Sequence, residues 1–189
     1  DIALWDIVNY NQSVFIATSK GINEFSISSN NIIRNEMKII NDLNGYEVYD
    51  LLIDGNIMYI ASEIGVFGIN LENGEGEMVS SKSFNKIEID KQNLFGLNSN
   101  LWSINLYTKE DELLYTKVND FAISGDYMWL NYNSYVNLVN KFTDQLWEYS
   151  FEDGIPGNLI YKIDCDKDWV WFSTNNGIGF YNWSRHHYE

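Results

Sequence analysis

Along this 189-residue chain the apolar positions come in short runs, and polar turns break them at nearly regular intervals. The stretch "VWFSTNNGIGFY", Val170 to Tyr181, shows the unit: an apolar-aromatic run, a polar turn closed by glycine, and a second apolar run. Runs of this kind on both sides of an Asn-Gly turn predict two antiparallel strands joined by a tight hairpin. Four more copies follow the same plan: "VFIATSKGINEF" from Val14, "MYIASEIGVFGI" from Met58, "LFGLNSNLWSI" from Leu94 and "MWLNYNSYVNLV" from Met128. The second position is aromatic in each, at Phe15, Tyr59, Phe95, Trp129 and Trp171, with steps of 44, 36, 34 and 42 residues. Periods of this size signal a propeller, a solenoid or another array.

The turns carry their own logic. Gly21, Gly65 and Gly177 hold equivalent places, and the third copy has Asn100 there. Glycine, and less often asparagine, tolerates the positive φ that a tight hairpin needs. The fourth copy has Tyr135 instead, which predicts a longer or distorted turn. A further strand precedes each copy, in "LWDIVNYNQ", "VYDLLIDGN", "FNKIEIDKQN", "VNDFAISGDY" and "IYKIDCDKDW". A fourth follows, as in "NIIRNEMKII", "DELLYTKV" and "DQLWEYSF". The best helical stretch, Asn31 to Asp42, falls where a fourth strand or its exit loop is needed.

Four short strands per unit point to an all-β chain, a β-propeller of about five four-stranded antiparallel blades. One domain spans 1–189, with blades at approximately 1–43, 44–83, 84–118, 119–151 and 152–189. Stacking of blades covers both faces of each sheet. A parallel β-helix lacks hairpin signals, and a β-sandwich gives no reason for a five-fold internal match. The chain runs from an inner strand to an outer one, "WSRHHYE", without the offset that clasps many closed propellers. Five blades cut from a larger ring are therefore favoured over five closing end to end.

Hydrophobic residues make up 45% of the chain and aromatics 16%, which suits a strand-rich core. The net charge of −15 repels phosphate backbones and anionic membrane surfaces, so nucleic acid is not an expected partner. A single cysteine, Cys165, excludes an internal disulfide and a cysteine-based zinc site. No run is long and apolar enough to span a bilayer. The opening "DIALWDIVNY" has no basic segment before an apolar core, so the expectation is a removed leader or a piece of a larger protein.

The fifth unit, "EDGIPGNLIYKIDCDKDWVWFSTNNGIGFYN", resembles the two-component-regulator propeller repeat. Asp153, Gly154, Pro156, Asn158, Asp166, Trp171, Thr174, Asn176 and Gly177 match that pattern, with Ile155 and Ile178 in place of its leucines. Units one and two keep Ala17-Thr18 and Ala61-Ser62 with the glycine. The resemblance implies a bacterial extracytoplasmic sensor module, periplasmic or at the cell surface, often fused to a membrane helix and a histidine kinase.

Few residues suggest chemistry. Cys165 aligns with Ile53, Ile89 and Ile123, so an inert core role is expected. "DCDKD", Asp164 to Asp168, lacks the glycine and glutamate of a calcium loop and reads as a hairpin turn. His186 and His187 are adjacent on a presumed strand and point to opposite faces, which gives no shared metal site. The sequons at Asn11 and Asn182 are chance in a chain this rich in asparagine. No metal, cofactor or catalytic constellation is expected.

Trp129 and Trp171 are expected to pack between blades. Trp5, Tyr49 and Tyr161 stand at the starts of inner strands, on a rim shared with the turns that hold Asn98, Asn100, Asn133, Asn175 and Asn176. Rings that stack on apolar faces, beside amides that donate and accept, suit a glycan or peptide. The leading expectation is a non-enzymatic sensor-type domain that binds a glycan, peptide or protein through one disc face. The alternative is a structural scaffold or interaction module in a cell-envelope or secretion assembly. A propeller lyase or hydrolase stands third.

Overall fold

The computed structural model describes residues 1–29, 31–33 and 37–182. Blade 1 comprises β1 (Leu4–Tyr10), β2 (Ser13–Thr18), β3 (Gly21–Ser26) and β4 (Asn31–Ile33), followed by the helix α1 (Lys38–Asp42). Blade 2 comprises β5 (Val48–Asp54), β6 (Ile57–Ser62), β7 (Gly65–Asn70) and β8 (Gly76–Ser80). Blade 3 comprises β9 (Lys86–Asp90), β10 (Asn93–Leu97), β11 (Asn100–Asn105) and β12 (Asp111–Thr116). Blade 4 comprises β13 (Asp120–Ser124), β14 (Tyr127–Asn131), β15 (Tyr135–Asn140) and β16 (Leu146–Ser150). Blade 5 comprises β17 (Ile160–Asp166), β18 (Trp169–Thr174) and β19 (Gly177–Asn182). Within each sheet the strands neighbour in chain order, and the paired strands are antiparallel. The architecture is a β-propeller.

The chain divides into two compact units, Asp1–Asn98 with Trp102–Glu112, and Ser99–Leu101 with Leu113–Glu189. In the first unit, Phe15, Ala17 and Ile22 of blade 1 pack with Leu51, Met58 and Ile60 of blade 2. On the other face of blade 2, Ala61, Val66 and Val79 pack with Phe84, Ile87 and Leu94 of blade 3. In the second unit, Ala122, Trp129 and Leu138 of blade 4 pack with Ile163, Val170 and Phe172 of blade 5. In blade 2, period-two alternation thus becomes two apolar faces, one against blade 1 and one against blade 3.

Two small devices repeat. The hydroxyls of Thr18, Ser62 and Thr174 each donate to the carbonyl of the turn glycine, Gly21, Gly65 and Gly177, at 2.8 Å. This bond closes the hairpin and explains why a hydroxyl three residues before glycine recurs in the sequence. The second device ties blades together. Asp6 Oδ2 accepts from Leu51 N (2.9 Å), Asp50 Oδ2 from Ile87 N (2.6 Å) and Asp120 Oδ2 from Ile163 N (2.7 Å). Each acceptor stands on an inner strand, and each donor is a backbone amide on the inner strand of the next blade. Blades 3 and 5 carry Lys86 and Lys162 at the equivalent place, and an ammonium group cannot accept.

The structure amends several expectations. The stretch Asn31 to Asp42 splits into the three-residue β4 and the five-residue α1, because Ile40 and Leu43 drop into the core between blades 1 and 2. The turn before Tyr135 keeps the register of its counterparts but is distorted, and without a glycine its positive φ falls on Asn133 (70°). In blade 3 the positive φ falls on Ser99 (77°), not on Asn100. Cys165 is half-buried at the edge of the blade 4–5 core, as are Ile53, Ile89 and Ile123 at their places. Blade 5 shows three strands among the described residues. The segment "WSRHHYE", with His186 and His187, and most of the sequon at Asn182 lie outside them.

The largest correction concerns Trp171. Trp129 is 1% exposed and packs edge-on to Phe172 of the next blade, as expected. Trp171 is 42% exposed, and its ring lies against Phe180 of its own blade at 5.1 Å between centroids.

Candidate functional site

Trp5, Tyr49 and Tyr161 share one backbone peculiarity. In β1, β5 and β17 the pairing with the next strand skips a residue, between Leu4 and Asp6, between Val48 and Asp50, and between Ile160 and Lys162. The skipped residue is the aromatic in all three. A bulge leaves one residue out of the ladder and re-aims its side chain. Here it presents Trp5 at 53% and Tyr161 at 52% exposure, with Tyr49 half-exposed. The inner strands of blades 3 and 4 pair without a bulge.

In the first unit the exposed rings are held by carboxylates. Trp5 Nε1 donates to Glu47 Oε1 (3.1 Å), and Glu47 N donates to Glu63 Oε2 (3.0 Å). Burial, and then the charges of Glu47 and Glu63, push the Tyr49 phenol above its ordinary value. It therefore stays protonated at neutral pH and remains a donor. Asn98, in the turn between β10 and β11, spends its Nδ2 on Ser83 O (3.1 Å).

In the second unit, Ile160 beside Tyr161 is pinned on both sides. Its N–H donates to Asn133 O (2.6 Å), and its carbonyl accepts from Asn131 Nδ2 (3.0 Å). Asn133 is thus a support for the bulged segment through its backbone. Asn175 Nδ2 donates to Asn158 Oδ1 (2.9 Å), and Asn175 Oδ1 accepts from Leu159 N (3.1 Å). Asn176 Nδ2 donates to Pro156 O (2.8 Å), and Asn100 Oδ1 accepts from Lys117 N (3.2 Å). The amides read as ligand contacts are largely engaged in fixing loops. That leaves the aromatics exposed while the amides hold their own loops.

Sequence reasoning missed two features. The tying aspartates were legible, because Asp6, Asp50 and Asp120 each precede the end of their strand by four residues. The second feature is a groove of about 580 Å³ in the first unit. It lies at the opposite end of the blades, where β5 turns into β6, β7 into β8, β9 into β10 and β11 into β12. Tyr59 and Tyr107 supply rings, and Asp54, Glu75, Gln92 and Lys91 supply polar groups. A Lys109–Glu77 ion pair at 2.6 Å crosses its wall. No spacing in one strand could reveal a groove that two blades make together.

No protein family's sequence profile matches the chain, and no curated protein does. Solved structures do. The extracellular domain of the candidate hybrid two component system BT4673 from B. thetaiotaomicron aligns over 94% of this chain at 15% identity, with a TM-score of 0.73. The corresponding domain of BT3049 from the same organism aligns over 96% at 14% identity, with a TM-score of 0.71. PorZ, a surface component of the type-IX secretion system of Porphyromonas gingivalis, aligns over 97% at 11% identity, with a TM-score of 0.63. The chain spans about a quarter of the length of these structures, 26%, 27% and 25%. The shared property is the fold. It is a β-propeller, an architecture that these extracellular sensor domains and PorZ also share over the aligned length.

Proposed function

We propose that this chain is a non-enzymatic, sensor-type binding domain that works outside the cytoplasm. It recognises a glycan, peptide or protein at the end of the blades where the inner strands begin. The observation that carries this reading is the bulge repeated in β1, β5 and β17 with an aromatic residue at each. A bulge interrupts pairing, so its recurrence at the equivalent strand position in three blades, each time exposing a large ring, suits presentation better than packing. Rings fixed by Glu47 or by the asparagine-braced loops lose little ordering entropy on binding. The acidic surroundings of Trp5 and Tyr49 favour a neutral or cationic ligand over an anionic one.

A second reading, a scaffold in an envelope or secretion assembly, draws on a different observation. Trp169, Trp171, Ile178 and Phe180 form an exposed apolar patch on one face of blade 5. Glycan and peptide arrays probed with the wild-type chain and with Trp5→Ala, Tyr49→Ala and Tyr161→Ala separate the two. A hit that weakens about tenfold in at least one variant supports ligand recognition at this end. Blank arrays, or hits that all three variants keep, overturn it. Stable co-purification with a large assembly, lost in Trp171→Ala, then favours the scaffold.

A further inference from the structure

The groove of the first unit has a floor that departs from the repeat. Opposite residues in an antiparallel ladder share a face, so two rows of blade 2 look towards blade 3. One row runs Leu52, Tyr59, Gly68 and Glu77. The other, nearer the turns, runs Asp54, Ile57 and Asn70, with Glu75 O accepting from Asn70 N (2.8 Å). Blades 1, 4 and 5 place Glu24, Leu138 and Phe180 opposite the aromatic that Tyr59 matches, where blade 2 has Gly68. Gly68 lies inside β7 with no positive φ, so its backbone does not call for glycine. A Cβ there would meet the Tyr59 ring at 3.4 Å and Val79 at 3.5 Å. The missing side chain leaves space beside that ring, within the groove of about 580 Å³.

The charges of the groove are spread along these rows. Asp54 ends the inner strand and Glu75 precedes the outer one, three strand spacings away, or about 14 Å. Glu77 is taken by Lys109 at 2.6 Å. Glu75 Oε2 accepts from Asn73 Nδ2 (3.3 Å), but neither Glu75 nor Asp54 has an ion pair among the described residues. Lys91 is the second cation of the lining, so three carboxylates face two lysines in a chain of net charge −15. Burial, and then Asp54, Glu77 and Tyr107, push the Tyr59 phenol up. The negative field thus reaches the floor.

We infer that this groove binds a linear polyamine, with its aliphatic chain over Tyr59 and Gly68, one ammonium group at Asp54 and another at Glu75. Methylenes gain by leaving water against the ring and the glycine floor, and an ammonium gains from a carboxylate and from a tyrosine face. A single amine reaches one carboxylate, and a compact dication cannot span both. The groove lies at the opposite end of the blades from the exposed aromatics of β1, β5 and β17, so this inference stands apart from the function proposed above.

Spermidine is the probe, titrated at low salt into the ¹⁵N-labelled chain. The expected result is saturable binding at about 0.1–1 mM, the range that two exposed ion pairs and a short apolar chain allow. Amide shifts should concentrate at Gly68, Asn70 and Gln92, which line the groove. n-Butylamine, with one ammonium group, should bind at least about fivefold more weakly. Asp54 and Glu75 are both exposed, so Asp54→Asn and Glu75→Gln keep the fold, and each should weaken spermidine about fivefold. Asp168→Asn removes the same charge from an exposed turn of blade 5 and should change nothing. Absence of saturable binding overturns the inference. So does weakening by Asp168→Asn equal to that by Asp54→Asn, or magnesium ion that matches spermidine in affinity and in the amides it shifts.

Discussion

Trp129 and Trp171 occupy the same place in consecutive blades: third residue of the second strand, opposite Ala122 and Asp164 respectively. One is buried among Tyr149 and Phe172, and the other lies open beside Phe180. Their strands have the same pattern and their hairpins the same register. What differs is what lies across the face. Blade 4 has Ile163, Val170 and Phe172 of blade 5 against it. The corresponding face of blade 5, with Trp169, Trp171 and Phe180, remains exposed. A repeated sequence therefore sets which side chains an array offers for burial, while neighbouring blades decide which offers are taken up.

The widest test of this contrast is one substitution made twice. Trp129→Ala should cost about 3–5 kcal/mol, the range for removing a fully buried large aromatic. The measurement is urea unfolding, and a small loss would mean that the blade 4–5 core tolerates a large void. Next in size is the tie between the same two blades. Asp120 is wholly buried, and Asp120→Ala leaves Ile163 N–H without its acceptor, for an expected cost of about 2–3 kcal/mol. Amide exchange at Ile163 should rise in that variant, and an unchanged rate would show that the bond is dispensable.

The Asp50 tie in the first unit adds a pH dependence. Burial pushes the Asp50 carboxyl up to about 7 from 3.8; the Ile87 amide and Lys86 oppose this, and Asp6 adds to it. The folded chain therefore holds this proton more tightly than the unfolded chain. Its stabilising contribution is complete below about pH 4 and is lost as pH rises towards 7, by about 2–4 kcal/mol. Asp50→Asn keeps an oxygen for Ile87 N–H and should flatten this part of the stability profile between pH 4 and 8. An unchanged slope in the variant would assign the effect elsewhere. The smallest effect closes the contrast: Trp171→Ala should change stability by about 0.5 kcal/mol or less. A loss close to that of Trp129→Ala would show that the exposed face is covered in solution.

The fold was legible because hairpins are local. The glycine turns, the hydroxyl that closes them and the aromatic at each second position all lie within a dozen residues of one another. Helix α1 was half legible: its composition showed, but its role depends on Ile40 and Leu43 meeting a core made by two blades. The aromatics at strand starts stood out in the sequence, yet the bulges that expose them were invisible, because a bulge is defined by the partner strand's register. The amides were misjudged in role: Asn98, Asn100, Asn175 and Asn176 bond to loops distant in sequence. The groove escaped notice for the same reason, being walled by two blades.

From sequence alone came the repeat, the strand pairing inside each blade and the acidic, aromatic-rich character of the chain. Backbone pairing and turn geometry act over a few residues and leave their mark as spacing. Tertiary structure alone decided which of two equivalent tryptophans is covered, which backbone amides the aspartates bond to and where space remains between sheets. Burial is a property of the neighbour as much as of the residue, and a linear pattern does not name the neighbour.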